Sequence, residues 1–200
     1  MKKIIFDTVK NLFLLEEGRL EDNTIIYPTY RTKAERRISE QEAKQVFIHE
    51  VIRNGVKYSV ETPTRLPYSF SGETLLSGNI DVSTYSPDLR EQTNIEFKAT
   101  NCAYGSIEKD FQKLILEDAR GIFFHVIEGS NSGTLPSIFG KYRRAITSIS
   151  HNSELTLVLV SLRDRFLYYD TFNTLDVKGD SDFFHMESIG KRIIYEADLI

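Results

Sequence analysis

The alternation of apolar and polar positions divides the chain from residue 39 onward into short helices and strands. Between Ser39 and Asn54 the apolar residues recur at helical spacing, and Asn54-Gly55 is a typical helix end. Ser39 followed three positions later by Glu42 has the form of a capping box. The pattern therefore predicts a helix over 39–54.

The next segments have the two-residue alternation of strands, bounded by Pro or Gly. A second helix pattern follows at 106–120, and an unbroken apolar run between glycines predicts a strand covered on both faces. A further helix pattern ends at Ser150, and 155–172 predicts two strands with a hairpin turn at Arg163-Asp164. The order from residue 39 is α-β-β-β-α-β, then α-β-β. The three early strands are predicted at 56–62, 78–85 and 94–100.

Length and composition favour a single folded domain. The chain has 200 residues, of which 40% are hydrophobic. We expect a core over 39–128, with 1–38 and 129–200 as peripheral extensions. The single cysteine, Cys102, excludes a disulfide scaffold or a multi-cysteine zinc site.

Charge and hydropathy narrow the expected location and partners. A net charge of −4 argues against nucleic-acid binding through bulk positive charge, although it allows local basic patches. Asp7 and Lys10 interrupt the apolar run at the start of the chain, which argues against a signal peptide. No apolar segment is long enough for a membrane helix. We expect a cytoplasmic protein without a membrane partner.

The residues best placed for chemistry are Asp81, Glu96 and Lys98. Glu96 and Lys98 are two positions apart on one predicted strand, so they share a face. If the strand of Asp81 pairs antiparallel with it, Asp81 lies within reach of Glu96. Two converging carboxylates suit Mg²⁺, and a neighbouring ammonium could hold the attacking water or a phosphate oxygen. The alternative is that Glu96 and Lys98 form the solvated face of an amphipathic strand.

Element order and motif positions together resemble the PD-(D/E)XK nuclease superfamily. The resemblance covers 39–128 and implies a restriction-endonuclease-like α/β fold with an αβββαβ core. It implies that Asp81 and Glu96 bind the metal and that Lys98 is the catalytic lysine. The residue before Asp81 is Ile80 rather than the proline of the family motif.

The family also has an acidic residue on its first helix. We assign Glu42 to this position because it precedes the apolar stripe of the helix. A capping-box residue needs no catalytic role, and Glu40 and Glu50 remain alternatives.

Several polar and basic residues are candidate contacts to a nucleic-acid backbone. Two clusters lie at Arg31, Lys33, Arg36 and Arg37 and at Lys141, Arg143 and Arg144, and Gln112 and Lys113 lie on the second helix. Solvated helix surface is the alternative for each of them. Phe70, Tyr85 and Tyr104 could stack on bases, but core packing is the favoured interpretation. The nucleic-acid contacts predicted from these sets are Arg36, Arg37, Lys141, Arg144, Gln112 and Lys113.

The sequence thus predicts a Mg²⁺-dependent endonuclease acting on DNA, with Mn²⁺ as a substitute. A two-fold homodimer would suit double-strand cleavage. RNA as substrate, strand preference and a role in restriction, repair or defence stay open. The alternatives are an inactive nuclease-fold module that binds nucleic acid or a protein partner, and a structural protein whose strand charges are ordinary surface.

Overall fold

A computed structural model of the chain describes residues 1–20, 25–30, 36–68 and 76–199. The expectations for Arg31, Lys33 and Phe70 lie outside these residues. The helices are α1 (Lys2–Glu17), α2 (Glu40–Arg53), α3 (Tyr104–Leu116), α4 (Thr134–Ser148), α5 (Thr174–Gly179) and α6 (Met186–Gly190). The strands are β1 (Lys57–Tyr68), β2 (Leu76–Tyr85), β3 (Glu91–Ala99), β4 (Arg120–Ile127), β5 (Glu154–Ser161), β6 (Phe166–Asn173) and β7 (Ile193–Tyr195).

The strands of the described residues form one mixed sheet of seven strands in sequence order, β1 to β7. Strands β3, β4 and β5 are parallel to one another, because α3 and α4 form the crossovers between them. The remaining neighbours pair antiparallel. The carboxyl ends of the three parallel strands therefore lie at one edge of the sheet.

Helices cover both faces of the sheet, so the central strands are buried on both sides. On β4, Phe124 and Val126 pack in the core formed with α1 and α2, whereas Phe123 and Ile127 pack with α3 and α4. This explains why the sequence of β4 is apolar from Gly121 to Ile127 at every position except His125. The result is a three-layer α/β/α arrangement.

A close approach of α3 to β4 occurs at Gly121. A Cβ atom there would lie 2.9 Å from the backbone oxygen of Leu114 on α3. Because glycine has no side chain, α3 can lie directly against the sheet. From α3, the Asp110 and Lys113 side chains reach Lys98 and Glu96 of β3.

The predicted element order from residue 39 is confirmed, as is the α/β class. Helix α2 begins immediately after Ser39, and β5 and β6 are joined by a turn that contains Arg163 and Asp164. The Ser39 hydroxyl donates to the Glu42 carboxylate and makes no hydrogen bond to the helix backbone, so the predicted capping box does not form.

The prediction that 1–38 and 129–200 are peripheral to the core is wrong for α1 and β5. The α1 side chains Val9, Leu12 and Phe13 are fully buried in the core with α2 and the sheet. Strand β5 pairs with β4 along its whole length and is buried from Leu155 to Ser161. Both elements therefore belong to the core.

No helix in the described part of the chain is both long enough and apolar enough to cross a membrane.

Candidate functional site

Asp81 occupies the point where β2 and β3 stop pairing through their backbones. The last backbone pair toward this end joins Val82 to Ile95. Beyond it, the Phe97 amide donates a hydrogen bond of 2.8 Å to Asp81 Oδ2. The carboxylate thus replaces a backbone carbonyl in the ladder and lies next to the backbone of Glu96.

Glu96 points to the α3 side of β3, where it meets a lysine and an aspartate of α3. Its side chain is 2% exposed and accepts a hydrogen bond from Lys113 Nζ. Lys113 Nζ also lies 3.2 Å from Asp110 Oδ1 and donates a hydrogen bond of 2.8 Å to the Asn79 carbonyl. Burial raises the pKa of Glu96, as do the negative charges of Asp110 and Asp81, against the opposing effect of Lys113.

Lys98 lies on the same side of β3 as Glu96, as predicted from their spacing. Its Nζ is 2.7 Å from Asp110 Oδ2 and 3.9 Å from Glu40 Oε2. Burial alone would lower the pKa of Lys98, but the charge and hydrogen bond of Asp110 outweigh it and raise the pKa. Lys98 is therefore a charged ammonium with an acid on either side.

The acid that α2 contributes to this cluster is Glu40, not Glu42. Burial raises the pKa of Glu40; Lys98 lowers it, and Asp81 and Asp110 raise it further. Glu42 instead accepts a hydrogen bond from Ser39. Burial raises the pKa of Tyr27, and the negative charge of Glu42 raises it further. The placement of Glu42 in the site is thus corrected, because positions two apart on a helix face different directions.

Glu50, the third candidate helix acid, lies near the other end of α2. It is buried and accepts a hydrogen bond of 2.9 Å from the Asn11 side chain of α1. Its contacts join the two helices and take no part in the cluster around Glu96.

Lys44 also reaches the site from α2, one helical turn after Glu40. Its Nζ lies 3.0 Å from Asp81 Oδ1 and 3.0 Å from Glu61 Oε1 of β1. Burial alone would lower the pKa of Lys44, but its hydrogen bonds to Glu61 and Asp81 and their charges raise it.

Two residues of the cluster, Lys44 and Asp110, were not predicted from the sequence. Each shares a helix face with another member: Lys44 lies four positions after Glu40, and Asp110 lies three positions before Lys113. That spacing is the only local signal. Their contacts to β2 and β3 depend on how the helices pack on the sheet.

Of the predicted nucleic-acid contacts, Lys141 and Arg144 lie together beside the loop that follows β3. Lys141 Nζ donates to Asn101 Oδ1 at 2.6 Å and to the Cys102 carbonyl at 2.9 Å. The Arg144 guanidinium stacks 4.0 Å from the centre of the Tyr104 ring. Their partners at 101–104 follow directly after the strand that carries Lys98.

The other predicted contacts are placed differently. Arg36 and Arg37 are exposed before α2, and Arg36 lies 3.8 Å from Glu16. Gln112 is half-buried on α3. The expectation that Lys113 contacts nucleic acid is corrected, because its ammonium is buried and bonded to Glu96 and Asn79.

The donor chemistry of the cluster fits a hard divalent cation. Asp81 and Glu96 on adjacent strands supply carboxylate oxygens, and burial, together with the negative charges of Asp110 and Asp81, raises the pKa of Glu96. Within the described residues, no three His, Cys, Asp or Glu side chains are already gathered as a metal-binding group. The four carboxylates of the cluster are Glu40, Asp81, Glu96 and Asp110, and its three ammonium groups are Lys44, Lys98 and Lys113.

Comparison of the chain with models of protein families, with curated proteins and with solved structures found no match.

Proposed function

We propose that the protein is a Mg²⁺-dependent nuclease of the PD-(D/E)XK type that hydrolyses phosphodiester bonds of DNA. The observation that supports it is the convergence of Asp81, Glu96 and Lys98 on one charged cluster at the fork between β2 and β3. These residues lie on the second and third strands of an α-β-β-β-α-β order, as the resemblance requires.

Asp81 and Glu96 would hold the cation, for which Mn²⁺ can substitute. The cation, when bound, supplies charge neutralisation at the phosphate and activates water. Lys98 is a charged donor within the cluster, and it would donate a hydrogen bond to a phosphate oxygen or to the attacking water. Glu40 orients Lys98, since the two side chains form an ion pair.

Lys141 and Arg144 would bind the DNA backbone beside this cluster. Both contact the 101–104 segment, which follows directly after β3. Contacts of this type hold a phosphate backbone in position without reading bases. A homodimer would present two such sites to the two strands of a duplex.

A catalytically inactive module that binds nucleic acid or a protein partner is the second candidate. It is favoured by the internal neutralisation of both proposed metal ligands, because Lys113 contacts Glu96 and Lys44 contacts Asp81. For such a module the charged cluster would be a structural element of the fold.

Incubation of the protein with supercoiled plasmid in Mg²⁺, in Mn²⁺ and in a chelator separates the two candidates. A nuclease converts the plasmid to open-circular or linear forms in either metal and not in the chelator. An inactive DNA-binding module retards the plasmid in a gel and leaves it supercoiled, and that result would overturn the nuclease proposal.

A further inference from the structure

Lys44 is a nearly buried cation that bridges two carboxylates from different strands. Its side chain is 8% exposed, and its Nζ lies 3.0 Å from both Asp81 Oδ1 and Glu61 Oε1. The two acids differ in their access to solvent, since the Glu61 side chain is 57% exposed. The ammonium therefore sits between an inner and an outer carboxylate.

Glu61 has an unusual backbone conformation for a strand residue. Its φ angle is 50°, in the left-handed region that side-chain-bearing residues rarely adopt. The flanking backbone pairs are Val60 with Val82 and Thr62 with Ile80, so Glu61 lies opposite Asp81. A glycine would adopt this conformation without strain, which points to a requirement for the carboxylate at this position.

We propose that Lys44 is the resident counter-ion of Asp81 and that it transfers to Glu61 alone when a divalent cation binds. Both cations would use the same carboxylate, and their like charges repel at short range. Glu61 can hold the ammonium near the surface after it leaves Asp81. Lys44 is thus a positioning residue that sets the metal affinity of the site. Glu61 affects that affinity by holding the Lys44 ammonium away from Asp81.

The inference rests on the proposed function only for the identity of the ion. It needs Asp81 to bind a divalent cation, but it does not need the protein to cleave DNA. A purely structural role for Lys44 makes the opposite prediction, because loss of a structural ion pair would loosen the site and weaken metal binding.

Calorimetric titration of the full chain with MnCl₂, without nucleic acid, tests the inference. Lys44→Met should bind Mn²⁺ roughly tenfold more tightly than the wild type, because it removes a like charge a few ångströms from the ion. Glu61→Gln should bind it several-fold more weakly, on the order of 0.5–1 in log Kd. Lys191→Met, at an exposed lysine bonded to Glu187, is the matched control and should leave the affinity unchanged.

The double variant separates action through Lys44 from direct metal binding by Glu61. In the Lys44→Met background, Glu61→Gln should lose most of its effect on Mn²⁺ affinity. If Glu61 were itself a metal ligand, its removal would weaken binding equally in both backgrounds, and the inference would be overturned.

The remaining outcomes are equally decisive. Unchanged or weaker Mn²⁺ binding by folded Lys44→Met overturns the inference while the nuclease proposal stands. Should Lys44→Met fail to fold, Glu61→Gln still tests the inference, since its side chain is exposed, and unchanged affinity overturns it. Tighter binding by Lys44→Met, together with no plasmid cleavage by the wild type, overturns only the nuclease proposal. No Mn²⁺ uptake by any variant overturns both.

Discussion

The Asp81 carboxylate accepts a hydrogen bond of 2.8 Å from the backbone amide of Phe97, just past the last backbone pair of β2 and β3. This bond holds Asp81 beside Glu96 while the two strands diverge. The hydrogen bond from Phe97 needs only an acceptor oxygen on residue 81, whereas the proposed metal binding needs the negative charge of the Asp81 carboxylate.

Asp81→Asn should therefore separate the structural and chemical roles of Asp81. The amide oxygen can still accept from Phe97, so the thermal midpoint should stay within a few degrees, roughly the effect of a change below 1 kcal/mol. Plasmid cleavage should fall by about a hundredfold or more, because a charged ligand is lost. Asp88→Asn, in the exposed turn after β2, is the control. Equal cleavage by wild type and Asp81→Asn would show that the site is misassigned.

Lys98→Met should abolish cleavage with little effect on folding. Asp110, its main partner, keeps an ion pair with Lys113 at 3.2 Å, so no buried charge is left alone. Loss of the ammonium removes the group proposed to contact the phosphate or the attacking water. The measurements are cleavage kinetics and a thermal melt, and cleavage that survives in the folded variant would contradict the role of Lys98.

Glu40→Gln and Glu42→Gln form a matched pair on one helix. Glu40 faces Lys98, whereas Glu42 is bonded to Ser39. We expect Glu40→Gln to reduce cleavage by about 10- to 100-fold, as is typical when a supporting partner of an active-site group is lost. Glu42→Gln should cleave at the wild-type rate. The reverse ranking would restore Glu42 as the helix acid.

Lys113→Met should be strongly destabilising. It leaves the buried carboxylate of Glu96 without its ammonium partner, and breaking a buried ion pair from one side costs about 3–5 kcal/mol. Urea denaturation measures the loss. The double variant Glu96→Gln/Lys113→Met should recover part of the stability, since the unpaired charge is removed as well. A loss below about 1 kcal/mol in the single variant would contradict the buried network.

His125 should make folding stability depend on pH. Its ring is fully buried. Nε2 donates a hydrogen bond of 2.5 Å to the Thr100 carbonyl, and Nδ1 therefore accepts one of 2.6 Å from the Tyr142 hydroxyl. Burial lowers the pKa of His125 to about 4, from 6.5. The unfolded chain binds the proton more readily than the folded chain. The contribution of His125 to the free energy of unfolding is therefore fully present above pH 6.5 and is lost as the pH falls toward 4.

The expected loss attributable to His125 is about 3 kcal/mol across that range. Urea denaturation at several pH values should show a flatter profile for His125→Gln than for the wild type. His151→Gln, at an exposed histidine, should keep the wild-type profile. Identical slopes for the wild type and His125→Gln between pH 6.5 and 4 would contradict this role.

The element order from α2 to β6 could be predicted because each segment carries its own periodicity and end signals. Helix α1 was missed as a core element, although Ile5, Val9 and Leu12 have helical spacing. Asp7 and Lys10, which interrupt the apolar run, lie on its partly exposed side. The helices α5 and α6, with six and five residues, are too short for a periodic pattern.

The residues of the candidate site likewise fall into those that local sequence patterns predict and those that only the packing of the fold brings together. Glu96 and Lys98 follow from the two-residue period of a single strand, and Asp81 follows from the pairing of neighbouring strands. Lys44 and Asp110 join the cluster only through packing of the helices on the sheet, which no local pattern encodes. Glu42 was chosen because it precedes the apolar stripe of α2, but the position of the stripe does not determine which acid of the first helical turn meets Lys98, and the structure places Glu40 there.

A crystal structure of the protein soaked in MnCl₂, with anomalous data, tests most directly whether Asp81 and Glu96 hold a divalent cation. We expect one anomalous peak about 2.1 Å from oxygens of both carboxylates, with the Lys44 ammonium bonded to Glu61 and no longer to Asp81. Absence of a peak at saturating Mn²⁺, with Lys44 still on Asp81 and Lys113 still on Glu96, would contradict it.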